Sequence, residues 1–423
     1  VLAAAWLALP AAAAAQLAMN ELGERYVKLV LAVGQHDADY VDAYYGPQQW
    51  RVDAAAARLP LSRIDADAAA LESALAREQP PASAEETVRL RHQYLTKQLT
   101  ALRMRVAMLG GRRFTFDEES RALYDAVAPT HTEAEFRGVL AELDRRLPGS
   151  GRLVDRYEAF RAQFVIPKDR LAAVFDAAIA GCRQRTQRHI ALPPEESFTL
   201  EYVTDKSWSG YNWYQGGYRS LIQINTDLPI YIDRAIDLAC HEGYPGHHVY
   251  NVLLEKNLVR DRGWVEYMVY PLFSPQSLIA EGTANYGIEV AFAEDERRAF
   301  ERDVLFPAAG LDAARVREFY EVAALTKRLS YAGNEGARRY LNGEIDAEAA
   351  ATWHEEFALN PPERARQRVR FIDQYGAYVI NYNLGEDLVG AYIERRAGTD
   401  PVLRWRELER LISSPRLPSG LRE

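Results

Sequence analysis

The chain has 423 residues, 48% hydrophobic and 26% charged, with a formal net charge of −9. That length suffices for one large domain, or two intimately packed ones, around a sizeable core. The acidic balance argues against general nucleic-acid binding, which needs a basic surface, and two cysteines, Cys182 and Cys240, do not amount to a disulfide framework.

The opening VLAAAWLALPAAAAAQLAMN has an apolar stretch and an Ala-rich candidate cleavage site, and it resembles a truncated secretory signal peptide. Residues 1–15 are expected to be a leader remnant, which makes the mature protein periplasmic or secreted. No later stretch is long and apolar enough to span a membrane. From Glu21 to about Arg188, segments such as LRHQYLTKQLTALRMRVAML and FRGVLAELDRRL carry helical periodicity, so residues 16–190 are expected to be a helical scaffold. His36, in VGQHDADYVDAYYGP, is expected in a helix connection whose aspartates cap helix ends, and His92 and His189 are expected to be solvated.

Between Leu192 and Pro229 the composition turns to aromatics, glycine and β-branched residues, and SLIQIN alternates as a short strand should. A strand here could offer a free edge to an extended substrate. Residues 191–423 are expected to form the catalytic region, packed with the scaffold as one domain.

The stretch HEGYPGHH, His241 to His248, holds three of the eight histidines beside Glu242. In the HExxH pattern two histidines one helical turn apart meet a zinc ion while the glutamate acts as general base. Here the position four after His241 is Pro245, followed by Gly246, so the helix should bulge or break. On a regular helix His247 would point about 120° away from His241, and His248 would lie roughly 10 Å along the axis. The second ligand is therefore His247 if the Pro-Gly pair acts as a two-residue insertion, or His248 if nearly a full turn loops out, with His247 slightly favoured. Cys240 is expected to be a small buried residue, although its thiolate would be a challenger for zinc. Asp237, one turn before His241, is a candidate to orient its imidazole. Downstream, SLIAEGTANYGIEVAF reads as a helix bearing Glu281 as third ligand, with Gly282 and Ala284 permitting close approach to the histidine segment.

HExxPGHH followed by EGxAxY resembles a widespread bacterial family of unknown function, distantly grouped with zinc metallopeptidases whose third ligand is a glutamate. The resemblance runs from the segment near Arg25 to YVINYNLG ending at Gly385. It implies a mainly α, metallopeptidase-like fold with a central cleft and a small β element before the metal-binding helix. It also implies one zinc held by His241, His247 or His248, and Glu281, with Glu242 as base and a short peptide or amide as substrate. Relatives carry a glutamine where this chain has Tyr378, which leaves the substrate-binding residues open.

Further on, AGNEG and LNGEID look like turns or helix ends, and His354 like a surface residue. RVRFIDQYGAYVINYNLGEDL places Arg370, Tyr378 and Tyr382 where a phenol or guanidinium could serve the oxyanion of amide hydrolysis, and Tyr382 is the favoured donor. For a terminal group of a peptide, Arg219, Arg328 and Arg370 are candidates. Two other readings are a non-catalytic peptide-binding relative and a helical di-metal redox protein; the latter lacks the paired Glu-x-x-His elements it needs.

Overall fold

The computed structural model describes residues 11–206 and 208–422, so residues 1–10 of the expected leader lie outside the described residues. The chain is mainly α-helical. Helix α1 (Ala11–Val33) packs with the long α2 (Glu86–Leu109) through buried polar links. Tyr26 donates to Gln98, and Arg91 meets Glu266 at 2.5 Å with both side chains almost fully buried. Between these helices the chain forms strand β1 (Val41–Tyr44), followed later by α3 (Leu153–Arg161) and α4 (Leu171–Gln187).

Three strands follow: β2 (Ser197–Val203), β3 (Gly210–Gly216) and β4 (Arg219–Asn225). Their order is β2-β4-β3, with β2 parallel and β3 antiparallel to the central β4. SLIQIN is thus a strand, and its buried residues Ser220, Ile222 and Ile224 share one face. Helix α5 (Ile232–Leu238) then runs into a π-helical turn, Ala239–Gly243, and α6 (His247–Leu254) begins after a cis Tyr244–Pro245 bond. Strand β5 (Val269–Pro271) pairs antiparallel with β1.

The remaining elements that frame the site are α7 (Pro275–Ala291), α8 (Pro362–Tyr375), a 3-10 turn Gly376–Val379, and α9 (Ile380–Ala397). Helix α7 is buried on nearly every side, which explains its apolar character all round. Helices α7 and α9 touch backbone to backbone: a Cβ on Gly282 would come within 2.4 Å of the Gly385 carbonyl oxygen. The small residue expected to admit the histidine segment therefore admits α9 instead. Gly287 takes that role, since its Cβ position lies 3.0 Å from Pro245 Cγ. One hydrophobic core extends from Met19 on α1 to Leu421.

Of the two readings of AGNEG the helix end holds, since it opens the helix Ala332–Leu341, and the expectation for His354 is corrected. His354 is buried, and burial together with Arg368 lowers its pKa to about 3. His189 is exposed, stacked on Trp405, and His92 is half-buried against the Leu75 carbonyl.

Candidate metal centre

The Pro-Gly expectation is met by a π-turn and a break together. Gly246 N–H donates to the Cys240 carbonyl at 2.9 Å, closing a loop so tight that a Cβ on Gly246 would fall 1.9 Å from the His241 oxygen. Only glycine fits there, and the loop returns His247, the first residue of α6, to His241. Their rings stand perpendicular with centroids 4.6 Å apart. Donor atoms of His241, Glu242 and His247 all lie within 4.8 Å of one another. Glu281, from α7, approaches His241 Nε2 to 3.2 Å and His247 Nε2 to 3.8 Å.

The tautomer of His241 follows from its partners. Asn285 Nδ2 donates to the Tyr382 carbonyl at 3.0 Å, which aims the Asn285 Oδ1 at His241 Nδ1, 2.8 Å away. That oxygen can only accept, so Nδ1 carries a proton in either charge state, and Nε2, which faces Glu281, is the nitrogen that gains or loses one. Asp237, the residue expected to orient this ring, is instead paired with Arg297 at 2.7 Å and Arg234 at 3.2 Å. The π-turn changes the helical phase between Asp237 and His241, and Asn285, one turn beyond Glu281 on α7, does the orienting.

Glu281 is buried. Its Oε1 accepts from Tyr378 at 2.8 Å, whereas Oε2 is buried with no hydrogen-bond partner despite its proximity to His241. A carboxylate oxygen in that position is costly unless something positive meets it. Burial opposes charge on His241, but the contact with Glu281 and the fields of Glu242 and Glu281 outweigh it and raise its pKa to about 9. Burial, with the nearby His241, lowers His247 to about 4. Burial also pushes Glu242 up to about 7, with His241 pulling against it and Glu281 reinforcing it. Two imidazoles and a carboxylate with a free buried oxygen suit a divalent transition metal.

His248 is not part of this cluster. Its Nε2 meets Glu196 and its Nδ1 meets Ser220 Oγ, each at 2.9 Å, and the ring is fully buried behind the sheet. Tyr244 and Arg183 complete the shell of Glu196, at 2.6 and 2.9 Å. Of the two histidines left open by the sequence, His247 alone stands with His241 and Glu281.

No family model and no curated protein matches the chain. Solved structures similar to it include the M32 carboxypeptidase of Deinococcus radiodurans R1, at 14% identity and a TM-score of 0.48, covering 94% of this chain and 90% of that one. A candidate lipoprotein from Colwellia psychrerythraea aligns over 85% of this chain and 71% of its own, at 15% identity and a TM-score of 0.48. A candidate lipoprotein of unknown function from Shewanella oneidensis aligns over 89% and 78%, at 12% identity and 0.48.

Around the cluster, strand β3 lies against the π-turn: Asn212 Nδ2 donates to the Glu242 carbonyl at 2.7 Å, and Gly210 backs onto the Glu242 side chain. Among the described residues β3 pairs only with β4, so its other edge has no strand partner. Tyr382 is half-buried, its ring 5.8 Å from that of Tyr378 and within the fields of Glu281 and Glu242. Tyr378 serves Glu281 and is not free for substrate. Arg370 is exposed, Arg219 is exposed on β4, and Arg328 is paired with Glu142.

The sequence reading missed two features. Asp42 lies on β1, where pairing with β5 carries it to the site; Tyr211 donates to it, and burial with the fields of Glu281 and Glu242 raises it to about 8. The aspartate was expected to cap a helix, but VDAY alternates as a strand, which was the available signal. Cys182 and Cys240 form a disulfide with a Cα separation of 5.6 Å. This corrects the expectation of an unlinked Cys240, removes its thiolate as a metal ligand, and ties the residue before His241 to α4.

Proposed function

We propose that the chain is a zinc-dependent hydrolase of peptide bonds acting on short peptides. The observation that carries this reading is buried Glu281, whose Oε2 has no hydrogen-bond partner and lies 3.2 Å from His241 Nε2 while its Oε1 lies 3.8 Å from His247 Nε2, with Glu242 alongside. His241, His247 and Glu281 would hold the ion, which supplies Lewis acidity and lowers the pKa of a water to roughly 7. Glu242 takes a proton from the attacking water and passes it to the leaving amine, a role that favours a pKa near neutrality. Tyr382 donates to the developing oxyanion. The edge of β3 that pairs with no strand, beside Glu242, would hold an extended peptide through main-chain hydrogen bonds.

The disulfide supports a periplasmic or secreted location, since such bonds persist in oxidising compartments. Among the described residues no helix is long and apolar enough to cross a membrane.

Elemental analysis of dialysed, untagged protein is expected to find close to one zinc per chain. Glu242→Gln should keep that zinc while turnover of short peptides falls roughly 10²- to 10⁴-fold. A chain that takes up no metal when zinc is added, or a folded Glu242→Gln variant with full activity, would overturn the reading.

A further inference from the structure

Four arginines gather on the α5 side of the metal centre, and two of them have no counter-charge. Arg364 and Arg368 lie one turn apart on α8, where like charges at this spacing repel. Among the described residues neither forms an ion pair or a hydrogen bond; Arg368 only overlies the Phe371 ring at 4.9 Å. Arg161, the last residue of α3, lies 3.6 Å from the ring centre of Tyr231, which immediately precedes α5. Arg234, on α5, is held at 3.2 Å by Asp237.

These groups border the site. Helix α8 runs directly into the turn whose Tyr378 donates to Glu281, and Arg234 lies on α5, the helix that continues into the π-turn of His241. Its charge reaches Glu242, and that of Arg368 reaches Tyr382. Burial and repulsion from Arg368, Arg234 and Arg161 lower Arg364 to about 10. Arg364 and Arg368 are half-buried, neither free in water nor neutralised by protein. Two desolvated, mutually repelling guanidiniums cost stability that a planar anion held by both would restore.

We infer that Arg364 and Arg368 form a subsite for the C-terminal carboxylate of a peptide, so that cleavage falls near the C-terminus. Hydrolysis consumes one water: a C–O bond replaces the C–N bond, and a water proton passes through Glu242 to the amine of the released fragment. The subsite gives the hydrolase reading its substrate class and rests on that reading only for the cleavage step.

Binding tests the subsite separately from turnover. The full-length Glu242→Gln chain, supplied with zinc, is titrated calorimetrically with an acetylated alanine tetrapeptide and with its C-terminal amide. The acid is expected to bind roughly 10- to 100-fold more tightly, and Arg368→Gln in the same background should erase most of that gap. Equal affinity for acid and amide overturns the subsite, even if the unsubstituted protein cuts both peptides and the hydrolase reading stands. Preference for the acid with no turnover by the unsubstituted protein supports the subsite and sinks the hydrolase reading. An amide bearing a glutamate side chain at its last position that binds as tightly as the acid also overturns it, by making the site one for acidic side chains. Should Arg368→Gln fail to fold, the acid-amide comparison in the Glu242→Gln chain decides alone.

Discussion

Glu196 and Glu281 each face histidines of the same eight-residue segment, yet their surroundings are finished differently. Glu196 accepts from His248, Tyr244 and Arg183, and His248 spends its second nitrogen on Ser220, so every strong polar atom is matched. Glu281 has one oxygen satisfied by Tyr378 and the other left bare beside His241. The first arrangement is complete without any ligand and holds the loop against α4 and the sheet. The second leaves a buried carboxylate oxygen that a positive charge would match. Adjacent histidines thus differ in how far their partners are saturated, which separates a structural contact from a candidate ligand.

Exchanging the two roles is the sharpest way to break this contrast. His247→Ala should weaken zinc binding by at least roughly 100-fold while leaving the thermal midpoint of the metal-free protein nearly unchanged. His248→Ala should do the reverse, keeping zinc affinity within about threefold but costing about 3 kcal/mol, because Glu196 loses a buried partner. Zinc titration and urea denaturation of both variants check the pair. Equal effects of the two substitutions on zinc would erase the distinction.

The pH dependence sharpens the same comparison at the Glu196 end. Burial alone would raise this carboxyl, but hydrogen bonds from His248, Tyr244 and Arg183, with the field of His248, hold it down at about 2. Its folded pKa lies below the unfolded value near 4.5, so it adds stability above about pH 4.5 that is lost as pH falls towards 2. The shift corresponds to about 3 kcal/mol at neutral pH. Glu196→Gln should therefore be less stable by about that amount at pH 7, with the gap narrowing between pH 5 and pH 3 in urea titrations. A gap that stays constant with pH would mean that packing, and not the carboxylate charge, holds this side of the loop.

How far these roles could be read in advance depended on local geometry. The mainly helical character and SLIQIN as a strand follow from periodicity that the tertiary structure leaves intact, whereas the meeting of His241 with Glu281 was expected from ligand chemistry and through Gly282, which packs on α9 instead. The choice between His247 and His248 was open because it turns on how many residues the loop consumes, and that is set by the Gly246 contact with the His241 carbonyl. Asp237 failed as the orienting residue for the same reason, since helical phase does not carry through a π-turn. Asp42 and the Cys182–Cys240 pair were illegible as site features because strand pairing and helix packing bring them in from distant positions. Arg370 was a candidate by residue type alone, and the phase of α8 turns it outward.

Asn285 offers the smallest and most selective test of the contrast. It contributes no ligand atom, and its two hydrogen bonds run from His241 Nδ1 to the Tyr382 carbonyl on α9. It thus couples the imidazole of a proposed metal ligand to the helix that carries the proposed oxyanion donor, while among the described residues no hydrogen bond connects His248 to α9. Asn285→Ala should lower zinc affinity about tenfold, because Nδ1 loses its acceptor and the ring its fixed orientation. Asn285→Asp should restore zinc affinity, since a carboxylate accepts from Nδ1 as the amide oxygen does, but it cannot donate to the Tyr382 carbonyl. If Tyr382 is positioned through this link, the Asp variant should recover metal and remain slow, whereas full recovery of both would show that Asn285 serves His241 alone.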